Sequence, residues 1–184
     1  YGARYARVLR GSDVGFVAPA AISDLVVAER LEGSSSTDFG APAAVPDADE
    51  EPMDPMALER AQVILGACWH AFDAAAGRAE GRELRKGPRG GGRDLEKMTD
   101  HVLEADRAYL RRLNWQHKRE EGVDLFEELS GARQAIFEAL RVAVDDGLPE
   151  RGPRGGILWP PRYFVRRVAW HVLDHAWEIE DRVV

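Results

Sequence analysis

Behind the pair Asp54-Pro55, the chain places Leu58, Ala61, Leu65, Cys68, Phe72 and Ala75 at alternating intervals of three and four. That spacing gathers all six onto one face of an α-helix, and no strand can bury them together. Asp54 is a good N-cap and Pro55 suits the first helical position, so the helix starts there and runs to about Ala79. An apolar stripe of this length needs partners, and three further segments supply them. Asp94 caps a second helix whose inward residues are Leu95, Met98, His101, Val102, Ala105, Tyr109 and Leu113. A third, from Val123 to Val144, carries Phe126, Leu129, Ile136, Phe137, Leu140 and Val144. The fourth starts at Pro160-Pro161 and presents Phe164, Val168, His171, His175 and Ile179. Four long amphipathic helices joined by short or Gly-rich loops predict an all-α chain folded as an antiparallel four-helix bundle.

The first ten residues read as the end of a helix stopped by Gly11, and Tyr1 stands within it, so residues are expected upstream of it. Residues 16–46 change character. The run Leu25-Val26-Val27-Ala28 predicts a strand or a short extended segment, and the acidic, Pro-rich stretch from Ala43 to Asp54 an exposed linker. The 184 residues make one domain. No apolar run reaches the ~18 residues that a membrane span requires. Cys68 is the single cysteine, which excludes an internal disulfide and fits a reducing, cytoplasmic setting; on the apolar stripe it reads as a buried structural thiol. A net charge of −7 disfavours nucleic acid as a partner. Yet arginines crowd into residues 78–93 and 151–167, a local positive field that suits a small anionic ligand.

Those two basic stretches share five letters. Gly87-Pro88-Arg89-Gly90-Gly91 and Gly152-Pro153-Arg154-Gly155-Gly156 each precede a helix that contains His-Val-Leu. Arg89 and Arg154 are therefore candidate clamps for a substrate carboxylate or phosphate, with surface ion pairing as the plainer alternative. No Gly-Lys-Ser/Thr follows, so the loops are not phosphate-binding loops of the nucleotide type.

His171 and His175 lie four apart on the apolar face of the last helix, one imidazole above the other, and His101 occupies an inward position on the second. Buried imidazoles need partners. A shared metal ion and separately satisfied structural histidines are the two readings open at this point. Three neutral nitrogens would leave a position free for water or substrate, the arrangement of catalytic rather than structural zinc, and an ion there would ease the loss of a proton from what it binds. Glu178, on the same side as His175, is the candidate catalytic carboxylate, as fourth ligand, general base or orienting group; a helix-face ion pair with Arg182 competes with that role. Tyr109 is a candidate hydrogen-bond donor to substrate, or a packing residue. Trp159, Trp170 and Trp177 read as core or interface residues, and His70 and His117 as exposed.

The segment RYFVRRVAWHVLDHAWEIEDR resembles the last helix of DinB/YfiT-like proteins, with its His-xxx-His pair, and DHVLEADRAYLRRL resembles their second helix, where an earlier histidine completes the triad. The resemblance covers residues 55 to 184. It implies His101, His171 and His175 as ligands of a divalent ion, zinc or nickel, in an antiparallel four-helix bundle that forms a homodimer. It further implies a thiol-dependent transferase or isomerase that uses a low-molecular-weight thiol such as bacillithiol or mycothiol on a small-molecule substrate. The Arg-, Ala- and Gly-rich composition is that of a high-GC bacterium, which favours mycothiol. The rival expectation is a non-catalytic metal-binding or dimerisation bundle. The extended segment at 16–46 and the two GPRGG loops depart from the family pattern, so the substrate does not carry over.

Overall fold

A computed structural model of the chain describes residues 1–86 and 92–184. Every regular element among them is helical: α1 Gly2–Val8, α2 Ser35–Asp38, α3 Asp47–Glu50, α4 Pro55–Ala79, α5 Leu95–Leu110, α6 Leu125–Asp145 and α7 Pro161–Arg182. Single 3-10 turns stand at Ile22–Asp24, Arg111–Leu113 and Pro153–Gly155. The chain is all-α.

Local chemistry sets three of the four long helices. Asp54 accepts from the Ala57 amide at 2.7 Å, Asp94 from Lys97 at 2.8 Å and Asp124 from Phe126 at 2.8 Å, each satisfying an amide the helix start leaves open. Helix α7 uses Pro160-Pro161 instead, where proline's missing N–H costs nothing. Packing does the rest. The α4 stripe is buried throughout, with Leu65 and Phe72 fully enclosed. Helix α4 lies chiefly along α7, while α5 is wedged against α6 and α7. Met98, Leu140, Phe164 and Ile179 bring the inner faces of α5, α6 and α7 into the same core.

Three expectations change on contact with the structure. Residues 25–28 are extended but pair with nothing, so there is no strand among the described residues; Leu25, Val26 and Val27 are exposed. The acidic stretch is not merely a linker: α3 forms there, and Asp49, 6% exposed, accepts two hydrogen bonds from Arg166 of α7. Phe126, read as inward, sits in the first turn of α6 with half its surface in solvent.

The C-terminus is tied to the segment before α5. Leu84 and Val183 form an antiparallel bridge, and Arg85 N–H donates to the Arg182 carbonyl at 2.8 Å. Arg182 returns the contact, donating from Nε to the Arg85 carbonyl and from Nη2 to the Arg93 carbonyl, both at 2.8 Å. This explains Gly92: its φ is +130°, and a Cβ there would stand 2.5 Å from the Arg182 guanidinium. One arginine thereby fixes the approach to α5.

Candidate metal centre

Helix α5 carries His101 two turns from its start, and α7 presents His171 and His175 from its middle towards it. Nε2 of His171 lies 3.3 Å from Nε2 of His101. The ring of His101 is 5.1 Å from that of His171 and 5.0 Å from that of His175, and the latter two are 4.7 Å apart. One nitrogen from each lies within 4.8 Å of the other two. Tetrahedral ligation with bonds of 2.0–2.1 Å puts ligand nitrogens about 3.3–3.4 Å apart, so the His101–His171 spacing suits two ligands on one ion, as it also suits a direct imidazole–imidazole hydrogen bond. The residues fit a metal ion.

Electrostatics favours the same use. Burial pushes the His171 imidazole down to about 3, with His175, His101, Arg167 and Arg93 adding to the effect. Burial likewise lowers His101, helped by Arg93 and His175. Neutral imidazoles are the form that ligates. His171 and His175 are each only 7% exposed, while His101 is half-buried and forms the side of the cluster nearest solvent.

Glu178 is placed one turn beyond His175, and the Nδ1–H of His175 donates to its Oε2 at 3.0 Å. The bond leaves His175 Nε2 as the nitrogen free to hold a metal ion. Arg182 takes the other oxygen of Glu178, so the orienting carboxylate and the helix-face ion pair weighed above exist together. Tyr109 is also brought to the cluster, its ring edge-on to His171 with centroids 5.7 Å apart, and burial raises its phenol while Arg167 opposes.

The basic loops fare differently. Arg89 lies outside the described residues. Arg154 is exposed, on a left-handed residue at φ +59°, and lines a groove of about 580 Å³ with Arg111, Arg112 and Trp115 that includes none of the three histidines. Cys68 is buried and His70 exposed, as expected. His117 is not exposed as read: its ring is mostly covered, with Nε2 3.9 Å from Glu128 Oε2.

Two polar residues, one on α7 and one on α5, carry no signal that the hydrophobic pattern registers. Arg167, one turn before His171, has Nε and Nη1 hidden from solvent without a hydrogen-bond partner. Its guanidinium carbon sits 5.3 Å from the Trp170 ring and 5.7 Å from each of Tyr109 and Trp159. The i, i+4 relation to His171 was the available clue. Asp106 on α5 is 1% exposed with both oxygens unpartnered.

Comparison with protein-family models, with curated proteins and with solved structures finds no match for the chain.

Proposed function

We propose that the chain is a divalent-metal enzyme of the DinB/YfiT-like kind, built as an antiparallel four-helix bundle. His101, His171 and His175 hold the ion, and the function is thiol or group transfer on a small anionic molecule. The observation that carries this reading is the convergence of three depressed or buried imidazoles from two helices, with His101 and His171 nitrogens at ligand spacing. Three protein nitrogens leave at least one coordination position free, and a bound ion there supplies Lewis acidity to whatever enters it. The chain's own residues do the rest. Glu178 fixes the His175 tautomer, Arg182 steadies Glu178, and Tyr109 covers one edge of His171. Zinc suits the all-imidazole set, with nickel the alternative. A homodimer follows from the same resemblance, and the single cysteine supports a cytoplasmic setting; among the described residues no helix is long and apolar enough to cross a membrane.

The test is metal content. Elemental mass spectrometry of tag-free protein should give about one equivalent of zinc or nickel in the wild type and none in a His171→Ala/His175→Ala double variant. No metal in either, even after reconstitution, would sink the enzyme reading.

A further inference from the structure

The stretch between α1 and α2 carries apolar side chains that its own fold leaves uncovered. Ile22, Leu25, Val26, Val27 and Leu31 are all exposed, Ile22 at 87% and Val26 at 89%. Single exposed apolar residues are ordinary on a protein surface. Five of them within ten residues of one arm form a patch of the kind that another molecule covers. Every residue from 20 to 32 is exposed, and the arm joins no ladder among the described residues. Its one hydrogen bond to another element among them is from the Asp47 N–H to Glu29, at 3.1 Å.

An apolar groove opens where this arm is rooted. It has a volume of about 540 Å³ and lies between α1, α4 and α7, lined by Tyr5, Val8, Ala61, Ile64, Val165 and Ala169. Neither the three clustered histidines nor any residue of 20–32 lines it. Where the arm departs, Phe16 packs edge-on against Tyr5 with ring centroids 6.4 Å apart; where the chain returns, Pro42 lines the groove. Both roots of the arm and the groove therefore share one face of the protein. Their charges are complementary. The arm holds Asp24, Glu29 and Glu32 against Arg30, and the groove is lined by Arg60, Arg162 and Arg166 against Asp49. Arg166 and Asp49 pair with each other. Arg60, Arg162 and the three carboxylates of the arm make no ion pair among the described residues.

We propose that residues 20–32 are a dimerisation arm, and that a second copy of this chain takes the arm in its groove between α1, α4 and α7. A two-fold contact needs a patch complementary to itself. A face that joins an acidic apolar arm to a basic apolar groove is such a patch, and a two-fold axis through it seats each arm in the other copy. Apolar burial holds the arms, while the arginines of the groove favour this partner over others. The inference is independent of the metal centre. It rests on the homodimer reading above and names the surface that forms it, so a dimer built through another face would remove the arm and leave the homodimer.

Sedimentation equilibrium of the full chain should give a dimer that weakens as salt is added. Val26→Asp/Val27→Asp alters side chains outside the core, so it should raise the dissociation constant at least tenfold and leave the Tm of the monomer unchanged. Arg60→Glu, at the groove, should weaken the dimer in the same direction. Val26→benzoylphenylalanine, irradiated, should give a covalent dimer whose joined peptide comes from α1, α4 or α7. A monomer at every concentration would overturn the arm and the homodimer together. A dimer indifferent to Val26→Asp/Val27→Asp would overturn the arm alone. Cross-linking to the groove within a single chain would make the segment a lid over its own groove, and that too would overturn the proposal.

Discussion

His175 donates Nδ1–H to Glu178 across one turn of α7 at 3.0 Å, and the same carboxylate is clasped from the next turn by Arg182. The pair decides which nitrogen of His175 faces the other two histidines. A ligating histidine whose second nitrogen is held by a carboxylate is fixed in tautomer and orientation and made more basic. Removing the carboxylate should therefore weaken the metal without unfolding the helix. Glu178→Ala is expected to lower zinc affinity roughly 10–100-fold, measured by competition with a chromogenic chelator. Unchanged affinity would show that Glu178 serves only its ion pair.

Arg182 extends that chain of contacts beyond the site. Through the Arg85 and Arg93 carbonyls it ties both flanks of residues 87–91 to the carboxylate that orients His175. Arg182→Gln should lower zinc affinity in the same direction as Glu178→Ala but by less, and combining the two should cost less than the sum of the separate effects. Additive losses in the double-mutant cycle would separate the two residues.

The depressed imidazole of His171 makes the metal-free protein acid-sensitive in a defined window. Its folded value is about 3, against about 6.5 in an unfolded chain, so between those values the unfolded state binds more protons and stability rises with pH. The contribution is complete above about 6.5 and is lost as pH falls towards 3, on the order of 1 kcal/mol per unit at most. Urea unfolding of wild type and His171→Ala across that range should show a stability difference that shrinks with acidification. A difference independent of pH would contradict a neutral buried imidazole.

Cys68 should behave as a core residue rather than a nucleophile. Burial pushes its thiol up to about 12, so almost none is thiolate at neutral pH. Alkylation by iodoacetamide at pH 8 is expected to be slow in the native protein and fast in urea. Rapid native labelling would show the thiol to be open to solvent.

Much of this was legible in the sequence because helices expose their logic at short range. The α4 and α7 stripes repeat every three or four residues, and the His171–His175 pair lies on such a stripe, so both the helices and the inward aim of the two histidines could be read directly. The residues that escaped depend on contacts distant in sequence. Asp49 looked like one more acid in an acidic stretch until Arg166, 117 residues later, claimed it. Val26 and Val27 suit a strand, but β-branched residues make a sheet only with a partner strand, and the fold provides none among the described residues. Phe126 fell on the stripe by spacing, yet the first turn of α6 projects beyond the core that would cover it. Arg167 and Asp106 escaped for another reason: a charged residue inside is read as outside by any pattern of hydrophobicity.

Asp106 tests that last point on its own. It lies in the core on α5, with neither oxygen hydrogen-bonded, and burial raises its carboxyl to about 7 while Arg133, itself engaged by Asp73, pulls weakly the other way. With the folded value above the unfolded one of about 3.9, the protonated acid is the form the fold prefers. Its contribution to stability is complete below about 4 and is lost as pH rises through 7, opposite in sign to that of His171 over their common window. Asp106→Asn keeps the shape and removes the titration. The variant should match the wild type near pH 4 and exceed it at pH 8 by on the order of 2–4 kcal/mol in urea unfolding. An equal effect at both pH values would mean that the carboxylate finds an ionic partner when charged, and Arg133 would be the residue to substitute next.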